Sequence, residues 1–186
     1  SFNVVTLQDL INEGNEVFAI SLSGLINATA GDIWGDVEIV DDDGPPQITI
    51  YDAAANEGET IYHVVSLSSV SGLDVIFDAT SYGGVALSGT DFTALPTTTF
   101  TIAAGNLTTL VPVETIEDVL DEADETFTVS LSNVTNGVIL DAIGVATILD
   151  DDDPPGILIT DASVNEGGTL EFVVSITEVS GQDVWF

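Results

Sequence analysis

The chain has 186 residues, among them 32 Asp and Glu, one His and no Lys, Arg or Cys, for a formal charge of −32. A surface this negative repels nucleic acid and anionic membranes, and the absence of cysteine removes disulfides and thiolate metal sites together. A hydrophobic share of 45% is nevertheless too high for a disordered acidic tail, so the charge sits on the surface or in sites around a core.

In chain order, the first acidic residues are Asp9, Glu13 and Glu16, followed by Phe18–Ser23, whose alternation of apolar and small polar residues predicts a strand. Asp41–Pro46 then reads DDDGPP. Proline fixes φ and removes a donor, so this run predicts a strand end leading into a stiff, extended connection. Ile48–Tyr51 again alternates, and Asn-Glu-Gly at 56–58 and VSGLDV at Val70–Val75 follow. Gly89–Phe92 is GTDF, and Thr97–Thr99 is simplest as strand. Asp118–Asp124 is the least strand-like stretch and predicts an acidic loop before a strand at Thr126–Ser132. The second acidic run, DDDDPP, occupies Asp150–Pro155.

Sliding the chain by 109 residues lays it on itself without a gap, and about 35 of the 77 overlapping positions are identical. Asp41–Asp43 falls on Asp150–Asp152, Asn56-Glu57-Gly58 on Asn165-Glu166-Gly167, and VSGLDV on VSGQDV at Val179–Val184. The period is a domain length, so the expected organisation is the closing part of one repeat (1–43), a complete repeat (44–152) and the opening of a third (153–186). Many short strands with turn signals about every ten residues predict an all-β fold of tandem antiparallel, Greek-key, immunoglobulin-like β-sandwiches. The chain opens on Ser1 without a Met, which reads as a processed protein or an excerpt of a longer array.

Adjacent carboxylates repel by about 4 kcal/mol per pair at 4 Å and an effective dielectric near 20. With no Lys or Arg to neutralise the Asp runs, an external cation is expected. Calcium takes 6–8 oxygens in irregular geometry, whereas magnesium prefers strict octahedra, and zinc or copper would want more than the lone His63. Neither an EF-hand spacing nor a glycine-rich nonapeptide repeat is present.

The order NEG, SG-D-V, GTDF, the acidic stretch Ile116–Ser132 and the closing A-T-I-L-D-D-D resembles the Calx-beta domain. This is the calcium-binding sandwich of sodium–calcium exchangers, integrin β4 and large extracellular adhesins. The resemblance implies several calcium ions (Ca2+), two to four, at one tip of each complete domain. It assigns their ligands to Glu57, Asp91, Glu117, Asp118, Glu122, Glu125, Asp150, Asp151 and Asp152, with Glu166 opening the next site. In the leading repeat Asp9, Glu13, Glu16, Asp41, Asp42 and Asp43 correspond, but Gln8 stands where the middle repeat has Glu117, and counterparts of Glu57 and Asp91 are missing. That site is expected to be incomplete unless another segment contributes.

Other residues have plainer readings. His63 is in step with Ile61, Val65 and Leu67 and aligns with Phe172, so it belongs to the inward face. Trp34 and Trp185 are expected to pack, Asp52 and Asp161 to serve turns, and Asp124 to face solvent. Carboxylates crowded at one tip, without an aromatic platform or a cation to recognise substrate, predict a protein that is not an enzyme. Sequons at Asn27, Asn106 and Asn133 mark where glycans would attach. The expected role is an extracellular, adhesive or structural array, a calcium-stiffened fibre or stalk whose partners are calcium and neighbouring repeats. The alternatives are a filament subunit whose partial end domains are completed head to tail, and a regulatory calcium sensor.

Overall fold

The computed structural model describes all residues, 1–186, and contains thirteen strands and no helix. A leading hairpin comprises β1 (Glu16–Ser21) and β2 (Trp34–Ile39), paired antiparallel. The middle of the chain supplies β3 (Gln47–Ile50), β4 (Ala53–Asn56), β5 (Thr60–Leu67), β6 (Val75–Tyr82), β7 (Thr98–Ile102), β8 (Thr108–Glu114), β9 (Glu125–Thr135), β10 (Val138–Asp141) and β11 (Ile143–Leu149). A short trailing pair, β12 (Ile157–Ile159) and β13 (Val174–Ile176), is antiparallel.

The nine middle strands form two sheets, ordered β10-β3-β5-β8 and β4-β11-β9-β6-β7. Period-two patterning drives this packing: in β5, Ile61, His63, Val65 and Leu67 are buried while Tyr62 and Val64 face outward. All 18 residues of the apolar core lie between Ile48 and Ile148, contributed by both sheets. The rings of Phe92 and Phe127 stack within it at 4.0 Å and 8°. Each is adjacent or nearly adjacent to a carboxylate expected in the site, Asp91 and Glu125. Truncating Phe127 to Ala should cost about 3–5 kcal/mol in chemical unfolding, because it removes both ring burial and one partner of the stack.

Pairing is mostly antiparallel, with two exceptions to the expected pattern. β10 pairs parallel with β3, and β11 pairs parallel with β4. The cause is a first strand that breaks at Tyr51–Asp52 and crosses from one sheet to the other. The break is fixed on both sides, since Asp52 Oδ1 accepts Val145 N–H at 2.7 Å and Tyr51 O accepts the His63 Nδ1–H at 2.9 Å. Asp52 therefore serves a turn, as expected.

That second bond sets the tautomer of His63, whose Nε2 is buried without a partner. Burial lowers its pKa from the ordinary 6.5, against a smaller opposing effect of the Tyr51 bond and the Asp52 charge. A histidine held neutral in the folded state contributes stability above pH 6.5 that is lost as pH falls through its lowered folded value. In melts at pH 7 and pH 5, His63→Phe should lose less stability on acidification than the natural chain.

The two tryptophans depart from expectation. Trp34 is 66% and Trp185 82% exposed, rather than packed. The leading and trailing strand pairs have no second sheet opposite them. Phe18, aligned with the fully buried Phe127, is itself 36% exposed for the same reason.

Candidate metal centre

One pole of the middle sandwich gathers four chain segments. β4 ends at Asn56, and Glu57 sits in the turn before β5. Asp91 lies in the loop between β6 and β7, the acidic loop joins β8 to β9, and Asp150–Asp152 leave the end of β11. No local propensity brings them together. They converge because β4 and β11 run parallel and end at the same pole, with Leu149 opposite Asn56.

Glu57, Asp118 and Asp152 place carboxylate oxygens within 4.8 Å of one another, the one such group of three in the chain. Oxygens at 2.3–2.6 Å from a shared calcium ion lie at most about 5 Å apart, so this spacing matches a common hard cation. Glu57 Oε1 and Asp152 Oδ2 are both buried and have no hydrogen-bond partner. A carboxylate oxygen shut off from solvent and left without a partner is unfavourable unless a cation or proton meets it. Beside this group is a cavity of ≈ 20 Å³ bounded by Glu57, Asp91, Asp118, Glu122, Glu125 and Asp150 over an apolar floor of Ile116 and Ile148. That is about the space of one water-sized occupant. Its donors are all carboxylate oxygens, with no nitrogen or sulfur, so the residues fit calcium and not zinc or copper.

The electrostatics carry the same signature. Desolvation first, then the charges of Asp118, Asp152, Asp150 and Glu117, raises the Glu57 carboxyl to about 7. Glu125 is likewise pushed up to about 7, by desolvation and then by its hydrogen bond with Asp91 and the charges of Asp91 and Glu122. Glu122 and Asp152 are raised as well, again with desolvation first and neighbouring carboxylates after it, while the side-chain contact of a protonated Glu57 with Asp152 opposes the rise there. Without a metal, this pole holds protons near neutrality.

Several carboxylates have their geometry fixed in advance. Asp91 Oδ2 accepts Leu87 N–H at 2.6 Å, Asp118 Oδ1 accepts Leu120 N–H at 2.7 Å and Asp150 Oδ1 accepts Glu122 N–H at 3.1 Å. Asp151 turns toward Asn56, whose Nδ2 donates to its Oδ2 at 3.0 Å, and it remains outside the group of three. Glu117 lies over Gly58, where φ is +72° and an added Cβ would collide with the Glu117 carboxylate. Asp124 is exposed as expected, yet its Oδ1 also accepts Asp150 N–H at 3.3 Å. Asn56 is the participant that composition alone did not single out. The repetition of Asn-Glu-Gly at 165–167 was its signal.

In the leading segment Asp9, Glu13, Glu16, Asp41, Asp42 and Asp43 border one open cleft of ≈ 490 Å³. Gln8 Nε2 donates to Asp42 Oδ1 at 3.0 Å, and Asn12 Nδ2 donates to Asp43 O at 2.9 Å. Desolvation, with Asp42, Asp41 and Asp9 behind it, raises Asp43. No three of these carboxylates approach as closely as the middle group. Glu166 is exposed and belongs neither to the group of three nor to the lining of either cavity. Of the sequons, Asn133 already commits its Nδ2 to Asp78 Oδ2 at 2.8 Å.

Comparison with known proteins bears on this geometry. The family model described as the Calx-beta domain matches residues 41–154. The crystal structure of CBD12 from CALX1.2 superposes with a TM-score of 0.53 at 16% identity, covering 69% of this chain and 70% of that one. The calcium binding domain CBD12 of CALX1.1 gives 0.51 at 23% identity, covering 62% of this chain and 50% of that one. The Calx CBD2 domain gives 0.51 at 9% identity, over 56% and 86%. At these identities the likeness establishes the β-sandwich fold. No curated protein matches the chain. With the family model spanning the whole middle sandwich and both ends of its acidic pole, the chain belongs to the Calx-beta domain family.

Proposed function

We propose that this protein is a non-enzymatic calcium-binding module whose acidic pole takes up calcium and passes its occupancy to the polypeptide attached on either side. The observation that carries the reading is the buried, unpartnered pair Glu57 Oε1 and Asp152 Oδ2 beside Asp118. The calcium-binding description of one similar crystal structure supports it. More than one ion is expected, because Glu57, Asp118 and Asp152 provide one position and Asp91, Glu122, Glu125 and Asp150 surround an adjoining one. Bound calcium would supply the positive charge that the chain itself lacks, and the carboxylates of four segments would brace one pole.

Of the roles such a module can serve, regulation by calcium has the support of the comparisons, which match CBD domains of Calx. A stiff extracellular array is the second reading, favoured by the 109-residue repeat. There the divisions 1–43, 44–152 and 153–186 would be successive units. Calorimetric titration separates the two. A sensor should bind with Kd of roughly 10⁻⁷–10⁻⁵ M, and an extracellular module with roughly 10⁻⁴–10⁻³ M. No heat of binding at several millimolar calcium would overturn both.

A further inference from the structure

Two sites 109 residues apart make the same contact. Gly72 N–H donates to Asn12 O at 2.9 Å, and Gly181 N–H donates to Asp121 O at 2.9 Å. Ser71 Oγ donates to Asn12 O at 3.4 Å, as Ser180 Oγ does to Asp121 O. Each hydroxyl also accepts an N–H of its own turn at 3.0 Å, from Leu73 and from Gln182. Ser71 is only 1% exposed, so at the first seam a polar side chain is buried against a different segment of the chain.

The glycine lets a Glu side chain lie close over the turn in both places. A Cβ at Gly72 would stand 2.7 Å from Glu13 Cγ, and one at Gly181 would stand 2.8 Å from Glu122 Cγ. The second seam is more extensive. Ser180 Oγ also reaches Asp121 Oδ2 at 2.7 Å, and Gln182 Nε2 donates to Glu122 O at 2.8 Å.

Topology makes this arrangement directional. β5 begins beside Glu57 at the acidic pole and ends at the turn carrying Ser71 and Gly72. The middle sandwich therefore has a Ser-Gly turn at one pole and the receiving acidic loop at the other.

We propose that the Ser-Gly turn is a docking element. Carried as Val-Ser-Gly-x-Asp-Val between β5 and β6 of the middle sandwich, it seats on the acidic loop of the preceding unit, and the partner it fits is another sandwich unit presenting such a loop. The backbone carbonyl of Asp121 and the side chain of Glu122 form the receiving surface, and a bulkier residue at the glycine position displaces the Glu122 side chain. The same Glu122 lines the metal cavity, and its N–H holds Asp150 Oδ1. Ser180 and Gly181 are therefore positioning residues for the middle pole. This second half rests on the calcium reading, whereas the docking half does not.

The test uses the full chain, with amide hydrogen exchange read by NMR and calcium binding read by calorimetry. In the natural sequence the amides of Gly72 and Gly181 should exchange slowly. Gly181→Val should raise exchange at position 181 by about two- to tenfold, the worth of one net hydrogen bond, and weaken calcium binding several-fold. Amides within β5 and β9 should keep their protection. Ser180→Ala, which adds no bulk, should move both readouts in the same direction by a smaller factor. Free exchange at Gly181 in the natural chain, or unchanged protection in Gly181→Val, would overturn the docking. Lost protection with unchanged calcium affinity would overturn the positioning role. A chain that binds no calcium would remove the functional reading, while the exchange data would still decide the docking.

Discussion

Calcium at a hundredfold excess over Kd should raise the melting temperature of the sandwich by roughly 10–20 °C relative to the same chain in excess EGTA. A ligand that binds only the folded state adds about 2.7 kcal/mol at that excess, and each kcal/mol moves a domain of this size by about 4–8 °C. The effect should be this large because the pole is selected against itself when empty. Glu57 Oε1 and Asp152 Oδ2 are buried without partners, and no Lys or Arg exists anywhere in the chain to relieve them. Differential scanning calorimetry with and without chelator measures it directly, and superimposable melts would refute the calcium reading. Magnesium at equal concentration should give a smaller shift, since it dehydrates reluctantly and prefers a rigid octahedron.

The second large effect is a reversal of sign at Glu57. Its folded pKa is raised from 4.5 to about 7, as is that of Glu125, so between those values the folded state holds protons that the unfolded chain releases. In the absence of metal, this contribution to stability is fully present below pH 4.5 and is lost as pH rises through about 7. The metal-free sandwich should therefore melt higher at pH 5.5 than at pH 8. With calcium present the order should invert, because protons compete with the ion for the same oxygens. Glu57→Gln separates the two contributions. It should raise the melting temperature of the metal-free protein at pH 8 by deleting a desolvated charge. It should also weaken calcium binding by at least about tenfold, since even groups outside the coordination shell of a metal site cost that much. A variant that loses stability in EGTA at pH 8, or binds calcium as the natural chain does, would contradict the assignment.

The parts of this molecule that sequence reveals are those governed by local patterning. The alternation in β5 and β9 places the core, and it places His63 in that core with them. The Asp118–Asp124 stretch is a loop because seven residues with four carboxylates cannot sustain a half-buried strand. The division of labour among nine acidic residues is not local. Glu57, Asp118 and Asp152 meet, while Asp151 turns to Asn56 and Glu117 covers Gly58, because loop geometry and not residue type decides which oxygen faces inward. The crossing of the first strand at Tyr51–Asp52 was likewise hidden. Its anchor, the bond from Val145 to Asp52, spans 93 residues, and both halves of the strand read equally well in either sheet. Exposure of Trp34 and Trp185 depends on what lies opposite a strand pair, which side-chain chemistry alone does not state.

The two parallel pairings at the start of the middle sandwich have a mechanical consequence. Chain enters through β3 and β4 and leaves through the end of β11, and β4 and β11 point the same way, in register from Ala53–Ala146 to Asn56–Leu149. Tension applied at the two linkers therefore slides these strands past one another, so that their hydrogen bonds bear load together and cannot be unzipped singly. β3 against β10 offers a second ladder of the same orientation on the opposite sheet. A sandwich pulled this way should yield abruptly, because several hydrogen bonds have to break together.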